Sequence, residues 1–137
     1  MKVLVDTSIW SLALRRGRQS LSAPVQELRH LISAHRVQII GPIRQEILSG
    51  VREEIQFKEL EKRLAPFPDL PVTTEDYVTA ARFFNLCRQK GVQGSNTDFL
   101  ICAVALRDRL AIFTTDKDFI SFAAHLPIIL YQGGPSE

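Results

Sequence analysis

Four acidic side chains each stand beside an apolar run. Asp6 closes Val3-Leu4-Val5. Glu46 lies between Ile43 and Ile47. Asp98 precedes Phe99-Leu100-Ile101-Cys102-Ala103-Val104-Ala105-Leu106, and Asp116 follows Ile112-Phe113-Thr114-Thr115. Carboxylates gathered in one cleft repel one another: at an effective dielectric of 20, a pair at about 4 Å costs roughly 4 kcal/mol. Such a group stays ionised only beside a cation, or else some members protonate. An all-oxygen donor set without thiolate or imidazole favours Mg2+ or Mn2+. Mg2+ keeps most of its waters, so one carboxylate can act through a water. An ion held this way can acidify water and offset charge on a phosphate under in-line attack.

The acids can meet only if the chain brings them to one place, and its punctuation is that of an alternating α/β domain. Residues 2–6 read as a first strand, followed by a helix over 8–16 and a break at Gly17. Ser20 or Ser22 is a cap for a second helix with Pro24 in its first turn and an apolar face of Val25, Leu28, Leu31 and Ile32. Residues 37–40 form a second strand. Gly41-Pro42 leads into a short helix over 43–49 that ends at Gly50. A charged helix over 53–64 and a proline-rich connector follow, with a very short strand near 70–72. Thr73 or Thr74 caps the next helix, which runs through Ala80, Phe84 and Leu86 with Glu75 and Asp76 in its first turn. After a loop over 91–95 come a buried helix over 96–109, a strand over 110–113, a helix over 118–124 and a last strand over 127–130. One domain is expected over residues 1–132, with a flexible tail over 133–137.

If the sheet is parallel, a residue just after a strand and the start of a helix leading into the next strand share the carboxyl edge. Asp6 and Asp116 follow strands, Glu46 is one turn into the helix after strand two, and Asp98 starts the helix before the 110–113 strand. All four can then converge. The helix beginning near Thr73 is an extra element that this scheme does not place.

Each acid also has a structural role open to it. Asp6 can cap the turn at Ser8 or Ile9, and Asp98, Asp116 and Asp118 are suited to first turns of helices. Small hydroxyls accompany the acids: Thr7 and Ser8, Ser95 and Thr97, Thr114 and Thr115. Ser95 and Thr97 read first as caps, Asn96 as cap or ligand, and Thr114 as a residue able to orient a carboxylate or a water. Glu53, Glu54, Glu59 and Glu61 look like a solvated face, and Asp69, Asp76 and Asp108 like surface. Arg15, Arg16 and Arg18 are a solvated helix end or a guide for phosphate. Lys117 contacts phosphate or neutralises its neighbours.

Composition narrows the classes. With 137 residues, 45% hydrophobic and 23% charged, the chain is ordinary for a soluble protein, and a net charge of +2 gives no strong general field for polyanions. Met-Lys followed by a strand lacks the apolar region and cleavage site of a signal peptide, and no stretch is long enough to span a bilayer. Cys87 and Cys102 lie in helical patterns without metal spacing and fit a reducing, cytoplasmic setting. His30, His35 and His125 are scattered and read as surface or helix-end residues.

Four ordered segments resemble the motifs of a PIN domain. They are Val3-Leu4-Val5-Asp6-Thr7-Ser8-Ile9-Trp10, Gly41-Pro42-Ile43-Arg44-Gln45-Glu46-Ile47-Leu48-Ser49-Gly50, Asn96-Thr97-Asp98-Phe99-Leu100-Ile101-Cys102-Ala103-Val104-Ala105, and Ile112-Phe113-Thr114-Thr115-Asp116-Lys117-Asp118-Phe119. A stand-alone chain of this length looks most like the ribonuclease toxin of a VapBC-type toxin–antitoxin pair. The resemblance implies a three-layer α/β/α sandwich with a mainly parallel central sheet, Mg2+- or Mn2+-dependent endonucleolytic cleavage of RNA, a homodimer, and inhibition by a cognate antitoxin protein. Carried over, Asp6, Glu46, Asp98 and Asp116 form the catalytic and metal-binding acids, Thr114 is an auxiliary hydroxyl, and Asp118 is an auxiliary candidate ligand. One departure is Phe99, which stands where many relatives carry a small residue and so bears on pocket shape. Rival readings are a non-catalytic nucleic-acid or protein binding module on the same fold, and a phospho-receiver, for which Tyr131-Gln132-Gly133 lacks the lysine needed after the last strand. A dinucleotide-binding domain lacks its glycine-rich first turn.

Overall fold

The structure, a computed structural model, describes residues 1–14 and 22–133. Among the described residues there are five short strands, with β-branched residues dominating β1 and β2: β1 (Val3–Val5), β2 (Val37–Ile40), β3 (Asp69–Leu70), β4 (Ala111–Phe113) and β5 (Ile129–Leu130). They pair in the order β3-β2-β1-β4-β5, every pair parallel. In the central pairing, Val3, Leu4 and Val5 lie opposite Ala111, Ile112 and Phe113. All three β1 residues are fully buried, as a strand covered on both faces must be.

Among the described residues, seven helices connect these strands: α1 (Thr7–Leu14), α2 (Ala23–Ser33), α3 (Gly41–Leu48), α4 (Glu54–Leu64), α5 (Thr74–Gln89), α6 (Asn96–Asp108) and α7 (Asp118–Ala123). The β1-to-β2 and β2-to-β3 crossovers run toward one edge of the sheet, and the later ones run back. Right-handed connections therefore put α1 to α4 on one face and α5 to α7 on the other. The aromatic contacts agree. Trp10 of α1 meets Phe67 beyond α4 edge-on at 5.2 Å, whereas Phe99 of α6 meets Phe84 of α5 at 5.6 Å and Phe122 of α7 at 4.8 Å. This is the expected three-layer α/β/α sandwich, with a sheet that is parallel throughout the described residues. No helix among them is long and apolar enough to cross a membrane.

The helix that sequence could not place is α5, which packs against α6 as an antiparallel pair. Arg107, near the end of α6, grips Asp76, near the start of α5, and donates to the Pro71 carbonyl at 3.1 Å. Asp76 is therefore not the surface residue expected. It is 3% exposed, and its Oδ2 also accepts from the Thr73 N–H at 2.8 Å, closing a capping box. Asp69 and Asp108 are exposed as expected, paired with Arg44 and Arg107.

Other differences are local. The last strand is shorter than 127–130 because pairing with β4 begins only at Ile129. The helix α3 starts at Gly41, since the fixed φ of Pro42 suits the first turn. Ser22 occupies the N-cap of α2, but its hydroxyl makes no capping bond. The Arg15, Arg16 and Arg18 cluster, the Gly17 break, Ser20 and tail residues 134–137 lie outside the described residues.

Candidate active site

The carboxyl ends of β1 and β4 lie side by side, and the site is built on them. The Asp6 N–H donates to the Phe113 carbonyl at 2.9 Å, which extends the ladder one residue past β1. Asp6 caps α1 with its main chain: its carbonyl accepts from the N–H groups of Ile9 and Trp10. The carboxylate is thus not spent on the cap that sequence offered it. It is 6% exposed, and its Oδ2 accepts from the hydroxyls of Ser8 at 2.9 Å and Thr114 at 2.7 Å. A carboxylate so far out of water requires such donors.

Those hydroxyls link the four-residue turn after β4 to the start of α1. Ser8 Oγ accepts from the Thr115 N–H at 3.0 Å and lies 3.2 Å from Thr114 Oγ1, which in turn accepts from the Asp116 N–H at 2.9 Å. Asp116, half-buried, accepts at Oδ1 from the Asp118 N–H at 2.9 Å and so turns the chain into α7. Asp118 is exposed. Across the site, Thr7 Oγ1 donates to Glu46 Oε1 at 2.6 Å and holds an exposed carboxylate of α3 toward β1.

Asp98 enters from the other face. Ser95 is the N-cap of α6, and the two residues form a capping box. The Asp98 N–H donates to Ser95 Oγ and the Ser95 N–H to Asp98 Oδ2, both at 3.1 Å. Asn96 is not the cap. Burial pushes the Asp98 carboxyl above the usual carboxylate range. The Ser95 hydrogen bonds pull it down, and the charges of Asp6 and Asp116 push it further up. Asp98 thus lies within electrostatic reach of both Asp6 and Asp116. Ion pairs among the described residues lie elsewhere, on Arg44, Lys58 and Arg107.

The donor set fits a hard divalent cation held partly through water. It contains only oxygens, Asp98 feels the negative charge of Asp6 and Asp116, and among the described residues no ion pair involves these acids. No three of the His, Cys, Asp and Glu side chains among the described residues close on one point at direct-ligand spacing. Mg2+ sites of one or two carboxylates completed by waters need no such closure.

Sequence reasoning did not see how the hydroxyls are shared. Ser8 was legible only as a small neighbour of Asp6, although it bridges Asp6 and the Thr115 backbone. Phe99 turns inward, 1% exposed, against Phe84 and Phe122, so its bulk goes to the core. Cys87 and Cys102 are buried free thiols, both pushed up by burial. His30, His35 and His125 are exposed, and Lys117 is exposed beside Asp116.

A family model described as PIN domain matches residues 3–124. The chain belongs to the PIN-domain family. Among PIN-domain relatives, Ribonuclease VapC11 of Mycobacterium tuberculosis is 34% identical over 121 residues, covering 85% of this chain and 88% of its own. The VapC ribonuclease Mb1587 of Mycobacterium bovis matches to the same extent. Among solved structures, VapBC2 from Rickettsia felis, bound to a DNA fragment from its promoter, superposes with a TM-score of 0.75 at 16% identity. It covers 96% of this chain and 98% of that one. At that identity the superposition establishes the PIN fold, and the curated relatives carry the functional comparison.

Proposed function

We propose that this PIN domain is an endoribonuclease of the VapC kind, the toxin of a toxin–antitoxin pair, and that Asp6, Glu46, Asp98 and Asp116 hold its Mg2+ or Mn2+. What supports the reading is that Asp6 and Asp116, tied through Thr114, follow adjacent parallel strands, that Asp98 feels the charge of both, and that among the described residues no ion pair involves any of the three. The 34% identity to named ribonucleases over most of the chain supports the reaction class.

Within this reading Asp6 and Asp98 are the principal ligands, and Glu46 and Asp116 complete the shell directly or through water. Asp118, exposed and hydrogen-bonded through its backbone to Asp116, serves the turn. When bound, the ion supplies an acidified water and charge compensation at the scissile phosphate. The chain's own residues fix the geometry. Ser8 and Thr114 point both their protons at Asp6 Oδ2, so that oxygen is held in place. Thr7 aims Glu46, and Ser95 aims Asp98. Products with a 5′-phosphate and a 3′-hydroxyl follow from attack on the phosphorus with departure of the 3′-oxygen. A cognate antitoxin, a homodimeric assembly and a cytoplasmic setting belong to the same proposal.

The test is purified protein against a panel of cellular RNAs, with Mn2+ and with EDTA, and cut sites mapped. Discrete Mn2+-dependent cuts are expected. Cleavage undiminished by EDTA contradicts the metal, and absence of cleavage on every RNA favours a non-catalytic binding module on the same fold.

A further inference from the structure

Gly94 precedes the capping box that orients Asp98, and it has no room for a side chain. A Cβ built there would lie 2.5 Å from Phe122 Cζ, 2.9 Å from Phe122 Cε1 and 3.0 Å from Phe99 Cε2. Its φ is not in the left-handed region, so glycine is required for space and not for backbone conformation. The rings cannot easily yield. Phe122 is 0% exposed, packed between Phe99 at 4.8 Å and Phe119 at 5.1 Å, and Phe99 is 1% exposed. Relieving a 2.5 Å contact to ordinary van der Waals distance takes a shift on the order of 1 Å. With the rings locked in the core, that shift falls on the chain at residue 94.

We infer that Gly94, seated on the Phe122 and Phe99 rings, is a positioning residue for Asp98. Two steps link them. The peptide following Gly94 carries the Ser95 N–H that holds Asp98 Oδ2, and Ser95 Oγ receives the Asp98 N–H. Displacing residue 94 therefore moves both halves of the box and re-aims the carboxylate. The inference rests on the reading of Asp98 as a metal ligand. It assigns the α7 aromatic cluster a role at the site: α7 carries the ring against which the Asp98 turn is registered.

The test measures Mn2+ affinity by calorimetric titration and RNA cleavage, with circular dichroism melts, for wild type, G94A, F122L, G94A/F122L and D98N. Expected for G94A is a loss of roughly 10- to 100-fold in cleavage, the scale of a 1 Å misplacement, with a matching loss of Mn2+ affinity. Leucine lacks the Cε and Cζ atoms that collide, so G94A/F122L should recover to within about fivefold of F122L alone, a coupling that distant independent sites do not show. A folded G94A with wild-type Mn2+ affinity overturns the inference, as does a double variant no better than G94A. If G94A alone does not accumulate as folded protein, the comparison of the double variant with F122L decides: equal affinities support the ring contact, and a lost affinity in the folded double variant refutes it. D98N separates the two levels. Undiminished Mn2+ binding in D98N sinks the ligand reading itself, whereas its loss alongside an unaffected G94A sinks only the positioning role.

Discussion

Thr114 Oγ1 donates to Asp6 Oδ2 across 2.7 Å, and the same oxygen accepts the Asp116 N–H at 2.9 Å. One hydroxyl thus ties the acid after β1 to the acid after β4. Thr114→Val keeps the shape and removes both bonds. Cleavage should fall roughly 10- to 100-fold, with about 1–2 kcal/mol of stability lost in urea unfolding. Thr114→Ser should restore most of both. A valine variant as active as wild type would show that this hydroxyl does not set the geometry of Asp6.

Asp98 gives a pH-dependent prediction. Its carboxyl is raised above the ordinary value of 3.8 chiefly by burial, with added repulsion from Asp6 and Asp116. The folded state therefore holds the proton more tightly than the unfolded chain does. This contribution to stability is fully present below the unfolded value and is lost as pH rises through the folded one. In EDTA, Asp98→Asn should melt above wild type at pH 7, and the gap should close toward pH 3. Added Mn2+ should raise the melting temperature of wild type and not of the variant. A variant less stable by the same amount at every pH would contradict this electrostatic picture.

The elements were legible because β-branched runs, Gly and Pro punctuation and hydroxyl caps point the same way at β1, β2, α3 and α6. That Asp98 feels the charges of Asp6 and Asp116 accords with a parallel sheet sending strand ends and returning helix starts to one edge. Asp76 was misjudged because a first-turn acid on an amphipathic helix gives no sign of a partner 31 residues on. Its burial depends on Arg107, a tertiary fact. For Asp98 and Asp116, capping and site roles were weighed as alternatives, yet both carboxylates make the local bond and Asp98 also feels the charges of Asp6 and Asp116. Gly94 fell unremarked within the 91–95 loop because only the Phe99–Phe122 contact, formed between α6 and α7, reveals its crowding.

Asp76 should separate stability from chemistry. Asp76→Ala removes the capping box of α5 and leaves Arg107 without its buried partner, at a cost of about 2–3 kcal/mol. Asp76 sits at the α6 end remote from Asp98, so Mn2+ affinity per folded molecule should be unchanged. Urea unfolding and metal titration on one preparation check both halves. A large loss of affinity without loss of stability would be the wrong way round.

The central claim is that the carboxylates gathered around Asp6 are a divalent-cation site. Calorimetric titration of Mn2+ into metal-free wild type and Asp6→Asn tests it most directly. Asparagine keeps an oxygen able to accept from Ser8 and Thr114 while removing the charge. Wild type should bind Mn2+ saturably, and the variant, with an unchanged circular dichroism spectrum, should show no saturable binding. Equal binding by both proteins, or none by wild type, would contradict the account.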